Sequence, residues 1–349
     1  MANTVLIDAN SIGRAAHAAT KLTVGKFQTQ AIYNFLRTMS AVAREYAGWN
    51  LLVLWDGRAE HRYAIYPDYK LKRKDALADP EKAADRAAYD AQVPFIKKSL
   101  EYLAIPQMVN ASLEADDLAG YFVPRLTAAG NRVQLITGDS DWLQLVNELC
   151  AWFDPRNDGK RVSLEDFFEK TGFFSPREFL EGKALIGDTS DSITPAGGIG
   201  EKGAPEFMAQ FRSMAEFWRQ CDAGEFVPRL KAHKRLWQGT SPYTKEEWDA
   251  QFQADPEWDE KTVSRAQKKH SDAWPGQSRA NWERNMKLMN LLEQPHPDPT
   301  KTTITQGALN EEAFQALCDR LVFASIRREY GHFIQPFRDS WARRQQLAA

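Results

Sequence analysis

Apolar residues along this chain follow two periods, and the two alternate. Val5-Leu6-Ile7, Leu51-Leu52-Val53-Leu54-Trp55 and Val133-Gln134-Leu135-Ile136 are short runs that fit buried strands. Segments with helical spacing lie between them. Ile32, Phe35, Leu36, Met39 and Val42 share one face of a helix over roughly 28–47. Leu118, Tyr121, Phe122 and Leu126 share one over 115–129, and Gly130-Asn131 is the turn that follows. Strand, helix, strand implies right-handed parallel crossovers, hence an α/β protein with a parallel sheet. The charged, Ala-rich stretch 75–100, broken at Pro80, predicts two helices projecting from the sheet. Helices are also expected over 201–223, with Phe207, Phe211, Met214 and Phe217 in a core, and over Glu311–Arg328. The basic, Gln-rich end of the chain reads as a tail, either mobile or a contact for a partner.

Each strand ends on acid. Asp8 closes the first, Asp56 the second, and Asp139 with Asp141 the third. Glu114, Asp116 and Asp117 stand at the start of the 115–129 helix, which returns to the same end of the sheet. Open α/β sheets build their sites there, outside the C-terminal ends of the strands. Acids brought this close raise one another's pKa unless a cation sits among them. Hard divalent ions take oxygen ligands, and Mg²⁺ takes a few carboxylates plus water. Taken singly, either cluster reads equally well as ordinary helix capping. Three successive strand ends closing on carboxylate do not.

With 349 residues and 43% hydrophobic, the chain is long enough for two domains or one domain with a large appendage. Its net charge of −2 does not by itself point to nucleic acid, but an acidic site and a basic rim would cancel. A basic rim is present: Arg58 to Lys74 interleaves cations with Tyr63, Tyr66 and Tyr69, suited to phosphates and to base stacking. Cys150, Cys221 and Cys318 are isolated, which excludes a disulfide framework or a zinc site and leaves buried small side chains. His17 and His61 read as structural or solvent-facing; His233, His270 and His296 are unclustered. No signal peptide or long apolar run is seen, so a cytoplasmic protein is expected, with no membrane partner. Trp237, Trp248, Trp258, Trp274 and Trp282 fall in a polar stretch. They read as anchors of a small satellite subdomain, or as a Trp/Lys surface extending a nucleic-acid track.

The set of motifs resembles the 5′-nuclease superfamily: flap endonucleases, bacteriophage 5′–3′ exonucleases and the 5′-nuclease domain of bacterial DNA polymerase I. The matching pieces are Ile7-Asp8-Ala9-Asn10, Trp55-Asp56-Gly57, Tyr66-Pro67-Asp68-Tyr69-Lys70-Leu71-Lys72-Arg73, Glu114-Ala115-Asp116-Asp117 and Thr137-Gly138-Asp139-Ser140-Asp141, in family order and spacing. Gly187-Asp188-Thr189-Ser190-Asp191-Ser192-Ile193 and Gly197-Gly198-Ile199-Gly200-Glu201-Lys202 resemble a further signature of that family. Ser192 stands where the family has Asn, and Ala196 where it has Gly. Both are small, so the turn is expected to survive. The likeness covers most of residues 4–211 and roughly 284–326.

The resemblance implies a PIN-like parallel sheet flanked by helices, with a helical arch and a helix-three-turn-helix DNA-binding region. The expected bounds are 1–175 for the nuclease core with an arch at about 62–98, 176–230 for the helix-three-turn-helix, 231–283 for the Trp-rich insertion, and 284–349 for the return to the core and tail. It implies metal-dependent hydrolysis of phosphodiesters with two ions, Mg²⁺ or Mn²⁺. Asp8, Asp56, Glu114 and Asp116 would lean towards the first ion, and Asp139, Asp141 and Asp188 towards the second. Asp117 and Asp191 would act through water. Lys70 and Arg73 would contact the scissile phosphate, Tyr66 or Tyr69 would stack on a base, and Lys72, Gly198, Gly200 and Lys202 would touch nucleic acid. The glycine loop lets backbone N–H groups approach a phosphate at a helix start, with K⁺ on its carbonyls by resemblance. Implied partners are DNA with 5′ flaps or 5′ ends, RNA-primed duplex, and a replication protein at the tail, met by a stand-alone monomer. Two other readings compete. A PIN-domain-like ribonuclease lacks the 184–204 signature. A catalytically silent DNA-binding member of the fold would not need every acid.

Overall fold

A computed structural model describes residues 3–156, 159–241, 244, 246–247, 250 and 274–348. Trp248, Trp258 and His270 lie outside the described residues. The chain divides into two compact units, one of Met1–His61, Lys74–Glu165 and Leu291–Ala349, the other of Arg62–Arg73 and Asp166–Asn290.

The first unit is built on a seven-stranded sheet. Its strands are β1 (Thr4–Asp8), β2 (Asn50–Trp55), β3 (Gln107–Asn110), β4 (Val133–Ile136), β5 (Cys150–Asp154), β6 (Lys160–Val162) and β7 (Thr302–Thr305). The order across the sheet is β6-β5-β4-β1-β2-β3-β7. The five central strands are parallel, and β6 and β7 close the edges antiparallel. The chain winds one way from β1 to β3, then crosses back to place β4 on the other side of β1. That reversal is a topological switch point, where a crevice opens at the strand ends.

Helices cover the sheet: α1 (Ala9–His17), α2 (Gln30–Glu45), α3 (Pro80–Asp90), α4 (Val93–Tyr102) and α5 (Ala115–Ala128). The α2 positions read as core from their spacing, Ile32, Phe35, Leu36, Met39 and Val42, are all buried. Two helices do form over 80–102, and Pro80 starts the first, where a missing N–H costs nothing. They do not both project. Ile96 and Leu100 of α4 and Tyr89 of α3 are buried in the core, because this stretch carries apolar residues at helical spacing among its charges.

The C-terminal segment also departs from expectation. The 311–328 helix is two, Glu311–Arg320 and Ala324–Arg328, broken where Val322 takes φ 56°. The tail is a helix, Tyr330–Ala348, with Phe333, Ile334 and Phe337 buried against α2. Pro336 lies inside it and leaves the His332 carbonyl without an intrahelical N–H. Arg44 of α2 donates to that carbonyl at 3.1 Å, and Ser40 of α2 donates to the Phe333 carbonyl at 3.1 Å. All three cysteines are buried.

The second unit is helical. Pro176–Ile186, Ala204–Phe211, Met214–Asp222, Lys231–Gln238 and Gln277–Met289 surround Phe207, Phe211, Met214, Phe217 and Trp218. Trp274 and Trp282 are buried in it as anchors, and the Trp237 indole donates to Asp222 at 2.8 Å. The chain rejoins the first unit at Leu291 rather than at 284, because Trp282, Asn285 and Leu288 are still buried within the helical unit. Among the described residues no helix is long and apolar enough to cross a membrane.

If the C-terminal helix is part of the core, Phe337→Ala will lower unfolding free energy by about 3–5 kcal/mol, read from the urea midpoint. An unchanged midpoint would return that segment to the status of a tail.

Candidate active site

The carboxylates of the first unit gather at the switch point. Asp8 ends β1 and caps α1, accepting from the Ser11 N–H at 2.9 Å. Its other oxygen accepts from the Thr137 hydroxyl at 2.8 Å, which ties β1 to the turn after β4. Asp56 follows β2; it accepts from the Ala115 N–H at 2.9 Å and from the Asn10 amide. One acid is thereby linked both to the start of α5 and to the start of α1. Gly57 has no alternative, because a Cβ there would lie 1.9 Å from the Asn110 carbonyl.

The α5 acids separate by depth. Asp117 turns inward, 1% exposed, and accepts from the Glu114 N–H at 2.9 Å. Asp116 accepts from the Trp142 indole at 2.6 Å, so the ring after the Asp139 turn orients the acid on α5. Asp139 caps its own turn, accepting from the Asp141 N–H at 2.8 Å, while its N–H donates to Thr137 at 2.9 Å. Arg156 holds this turn from behind. It pairs with Asp154 through Nε at 2.8 Å and donates to the Gly138 carbonyl at 2.9 Å. Any Cβ at position 138 would collide with that guanidinium.

Electrostatics report the crowding. Burial, and then the charge of Asp56, push Asp8 from the usual 3.8 up to about 6, against the Ser11 and Thr137 hydrogen bonds that favour its anion. Asp116 is raised well above its ordinary value by burial and then by Asp139, Asp8, Asp56 and Glu114. No cation among the described residues pairs with Asp8, Asp56 or Asp116. This donor set, all hard oxygen and short of positive charge, fits a divalent ion. Among the described residues no three such side chains close tightly enough to chelate one ion directly, so water would complete the coordination.

The second unit carries the remaining expected residues. Asp188 and Ile193 exchange backbone hydrogen bonds at 3.0 and 2.7 Å, and Ser192 takes φ 63°, so the turn survives without the family's Asn. Ala196 is fully buried. Burial alone would raise the Asp188 carboxyl, but hydrogen bonds from Ser190 and Asp191 and the charge of Lys183 hold it below its ordinary value. Asp191 pairs with Lys70 at 3.9 Å, contacts Arg73 directly, and accepts from the Tyr69 hydroxyl at 3.2 Å. The Tyr69 ring is covered in this structure. It is 4% exposed, against Tyr63, with Lys70 over its ring. The Tyr66 ring lies under the Arg284 guanidinium, and its hydroxyl donates to the Ser192 carbonyl at 3.2 Å. Lys72 is exposed; its N–H donates to the Ser192 hydroxyl at 3.0 Å. Gly198 (φ 80°), Gly200 and Lys202 are exposed ahead of the Ala204–Phe211 helix.

Sequence reasoning singled out none of Thr137, Trp142, Arg156 and Asn285 for a role of its own. Asn285 is fully buried and donates to the Ala184 and Thr194 carbonyls at 2.9 and 2.8 Å, fixing the turn that carries Asp188.

A parallel sheet with acids at its switch point and a helical unit beside it in sequence defines a PIN-like nuclease class. The family model of the 5′-3′ exonuclease N-terminal, resolvase-like domain matches residues 3–172. A 5′-3′ exonuclease of Aquifex aeolicus is 32% identical over 212 residues, 60% of this chain and 70% of the relative. One of Mycoplasma pneumoniae is 28% identical over 237 residues, 64% and 77% of the two chains. The thermostable DNA polymerase I of Thermus filiformis is 28% identical over 220 residues; the match takes in 62% of this chain but only 25% of the polymerase. The fold matches the 5′-exonuclease of bacteriophage T5 with divalent zinc bound, at TM-score 0.61 and 21% identity over 83% of this chain and 90% of that one. It matches the T5 flap endonuclease in a pseudo-enzyme-product complex with DNA and metal ions at 0.60 and 17%, over 92% and 99%. The chain belongs to the 5′–3′ exonuclease family.

Two outcomes follow for the metal-free protein. Asp8 binds its proton more tightly folded than unfolded, so its contribution is most favourable below pH 3.8 and is lost as pH rises through about 6. In EDTA, stability will fall by on the order of 3 kcal/mol across that window. Asp116→Asn will raise the melting temperature at pH 8, and added Mg²⁺ will stabilise wild type more than this variant. A variant no more stable than wild type in EDTA would deny the crowding. For Arg156→Met, nuclease activity is expected to drop about tenfold to a hundredfold with a native circular dichroism spectrum, as for other groups acting through a site residue.

Proposed function

We propose that this protein is a divalent-metal-dependent, structure-specific 5′ nuclease, an exonuclease or flap endonuclease acting near the 5′ ends of DNA or RNA-primed duplex. The observation that carries the reading is the group Asp8, Asp56 and Asp116, mutually repelling carboxylates with no cation among the described residues to relieve them. Asp8, Asp56, Glu114 and Asp116 lean towards one ion and Asp139 and Asp141 towards a second, Mg²⁺ or Mn²⁺. Such ions supply positive charge that favours ionisation of an attacking water and offsets charge on the phosphate.

The chain's own side chains do the positioning. Thr137 favours the anion of Asp8 and aims it, Trp142 orients Asp116, and Arg156 fixes the Asp139 turn. Water oxygen bonds to phosphorus as the 3′-oxygen leaves and takes a proton, giving a 5′-phosphate and a 3′-hydroxyl. Lys70 and Arg73, now paired with Asp191, are held ready to exchange that carboxylate for a phosphate and stabilise its developing charge. Tyr66, Lys72, Gly198, Gly200 and Lys202 serve nucleic-acid contact, and K⁺ would sit on the carbonyls near Gly198. The assignment of Asp188 and Asp191 to metal chemistry rests on the family resemblance. Action as a monomer in replication, primer removal or repair is proposed by analogy with the relatives.

The test is a product-length series on labelled 5′-flap, nicked, blunt and RNA-primed duplexes. Cleavage is expected only with Mg²⁺ or Mn²⁺, and at least about a hundredfold slower in Asp139→Ala. Cutting at the wild-type rate by that variant, or in EDTA, would falsify the metal assignment. Preferential cleavage of single-stranded RNA would favour the ribonuclease reading, and binding without cleavage a silent DNA-binding protein. Lys70→Met is expected to lower kcat by about 10²–10³-fold with little change in KM, since its interaction strengthens only as charge develops.

A further inference from the structure

The C-terminal helix is flanked by two adjoining cavities at the N-terminal end of the sheet. One, of about 480 Å³, lies between the end of α2, the 46–51 loop and the helix. The other, of about 460 Å³, lies beside β2, the 103–106 loop and the same helix. Leu51 and Ser340 line both, so the two cavities adjoin. Each is large enough for several side chains.

The chemistry of this surface is uneven in an informative way. Its floor is apolar: Ala43, Ala47, Leu51 and Pro336 in the first cavity, Leu103 and Ile105 in the second. Trp49 adds an aromatic wall. Arg44 and Arg343 line the first cavity and Arg344 the second. No carboxylate of a described residue pairs with Arg343 or Arg344. Their contacts are to backbone and amide oxygens: Arg343 donates to the Trp49 carbonyl at 2.7 Å, and Arg344 to that of Ala104. The Nε atoms of both are buried with no hydrogen-bond partner. Burial and the adjacent Arg343 charge lower the Arg344 pKa. Asp339, which also lines the first cavity, accepts from Gln335 at 2.8 Å instead of closing an i,i+4 pair with Arg343. Two neighbouring half-buried cations without a counter-charge are costly unless something anionic completes them.

We propose that this surface docks an acidic peptide segment of a partner protein, one that sets an apolar side chain into the floor and carboxylates against Arg44, Arg343 and Arg344. Charge complementarity selects the acid. The mostly apolar lining of the two adjoining cavities selects a peptide over a phosphate backbone, which needs an extended basic track. The site is distinct from the carboxylate crevice. β2 runs six residues from Asn50 at the cavity edge to Trp55 beside Asp56, a span of about 20 Å. The proposal therefore stands whether or not the catalytic reading does.

The experiment measures fluorescence polarisation of the full-length protein with three labelled probes: the peptide Asp-Glu-Asp-Leu-Phe with a free C-terminus, its Lys-Arg-Lys-Leu-Phe counterpart, and a ten-nucleotide dT strand. The acidic peptide is expected to bind in the micromolar range, more weakly as salt rises, and the basic one at least tenfold more weakly. Arg343→Gln and Ala47→Glu, the latter an exposed position at the cavity, should each weaken the acidic peptide tenfold or more. Ala47→Lys should not, and nuclease activity should be unchanged in all three. Equal binding of acidic and basic peptides, or affinity for the acidic one untouched by Arg343→Gln and Ala47→Glu, would overturn the proposal. So would a dT strand that binds more tightly than the peptide and is displaced by the same substitutions. Self-association that Ala47→Glu abolishes would reassign the surface to a second copy of the chain.

Discussion

Mutual repulsion among carboxylates at the end of a parallel sheet is the constraint from which the first unit takes its shape. β1 and β4 lie side by side only because the chain reverses its winding there. The reversal brings Asp8 and Asp139 to one crevice, and the crossovers bring Asp56 and Asp116 to the same place. Like charges in a partly buried site oppose folding, and the fold offsets part of that with hydrogen bonds to the anions. Ser11 and Thr137 serve Asp8, the α5 N-terminus serves Asp56, and Trp142 serves Asp116. The remaining deficit, seen in the raised pKa of Asp8 and Asp116, is what cationic charge in the crevice would cancel.

The helical unit handles charge in the opposite way. Lys70 and Arg73 pair with Asp191, whose carboxylate also accepts from the Tyr69 hydroxyl, so these cations are met by a counter-charge. The local backbone is arranged around this pairing. Lys70 and Ser192 both adopt left-handed φ, and the Lys70 N–H donates to the Asp191 carbonyl at 2.8 Å. A carboxylate partner is easily exchanged for a phosphate of the same charge sign, whereas an apolar one would not be.

The C-terminal helix shows how a proline can specify a docking partner inside a fold. Pro336 frees the His332 carbonyl, which Arg44 of α2 meets, and Ser40 of α2 adds a hydrogen bond to the next carbonyl, Phe333. Polar satisfaction at this joint sets the helix against α2, and the cavities at its flank are the space left by that placement. Arg343 and Arg344 then hold the 46–50 and 103–106 loops through backbone carbonyls, a task that leaves their charge uncompensated.

Much of the first unit was legible in the sequence, because buried strands and amphipathic helices obey short-range periods. The strands β1, β2 and β4, the helices α2 and α5, and the acids that end them could all be read from local pattern. So could the turn at 188–193, where a small residue in left-handed conformation suffices. What local pattern could not supply was partnership across long separations. Nothing near Asp116 in sequence announces Trp142, and nothing near Gly138 announces Arg156. The burial of Tyr69, the packing of α4 and the helical, core-bound end of the chain depend on faces presented by distant elements. Sequence determines which residues carry charge and which must leave water, since those are properties of the side chain and its immediate neighbours. Only tertiary packing decides which charges meet, because Coulomb and hydrogen-bond energies depend on distances that the whole fold sets.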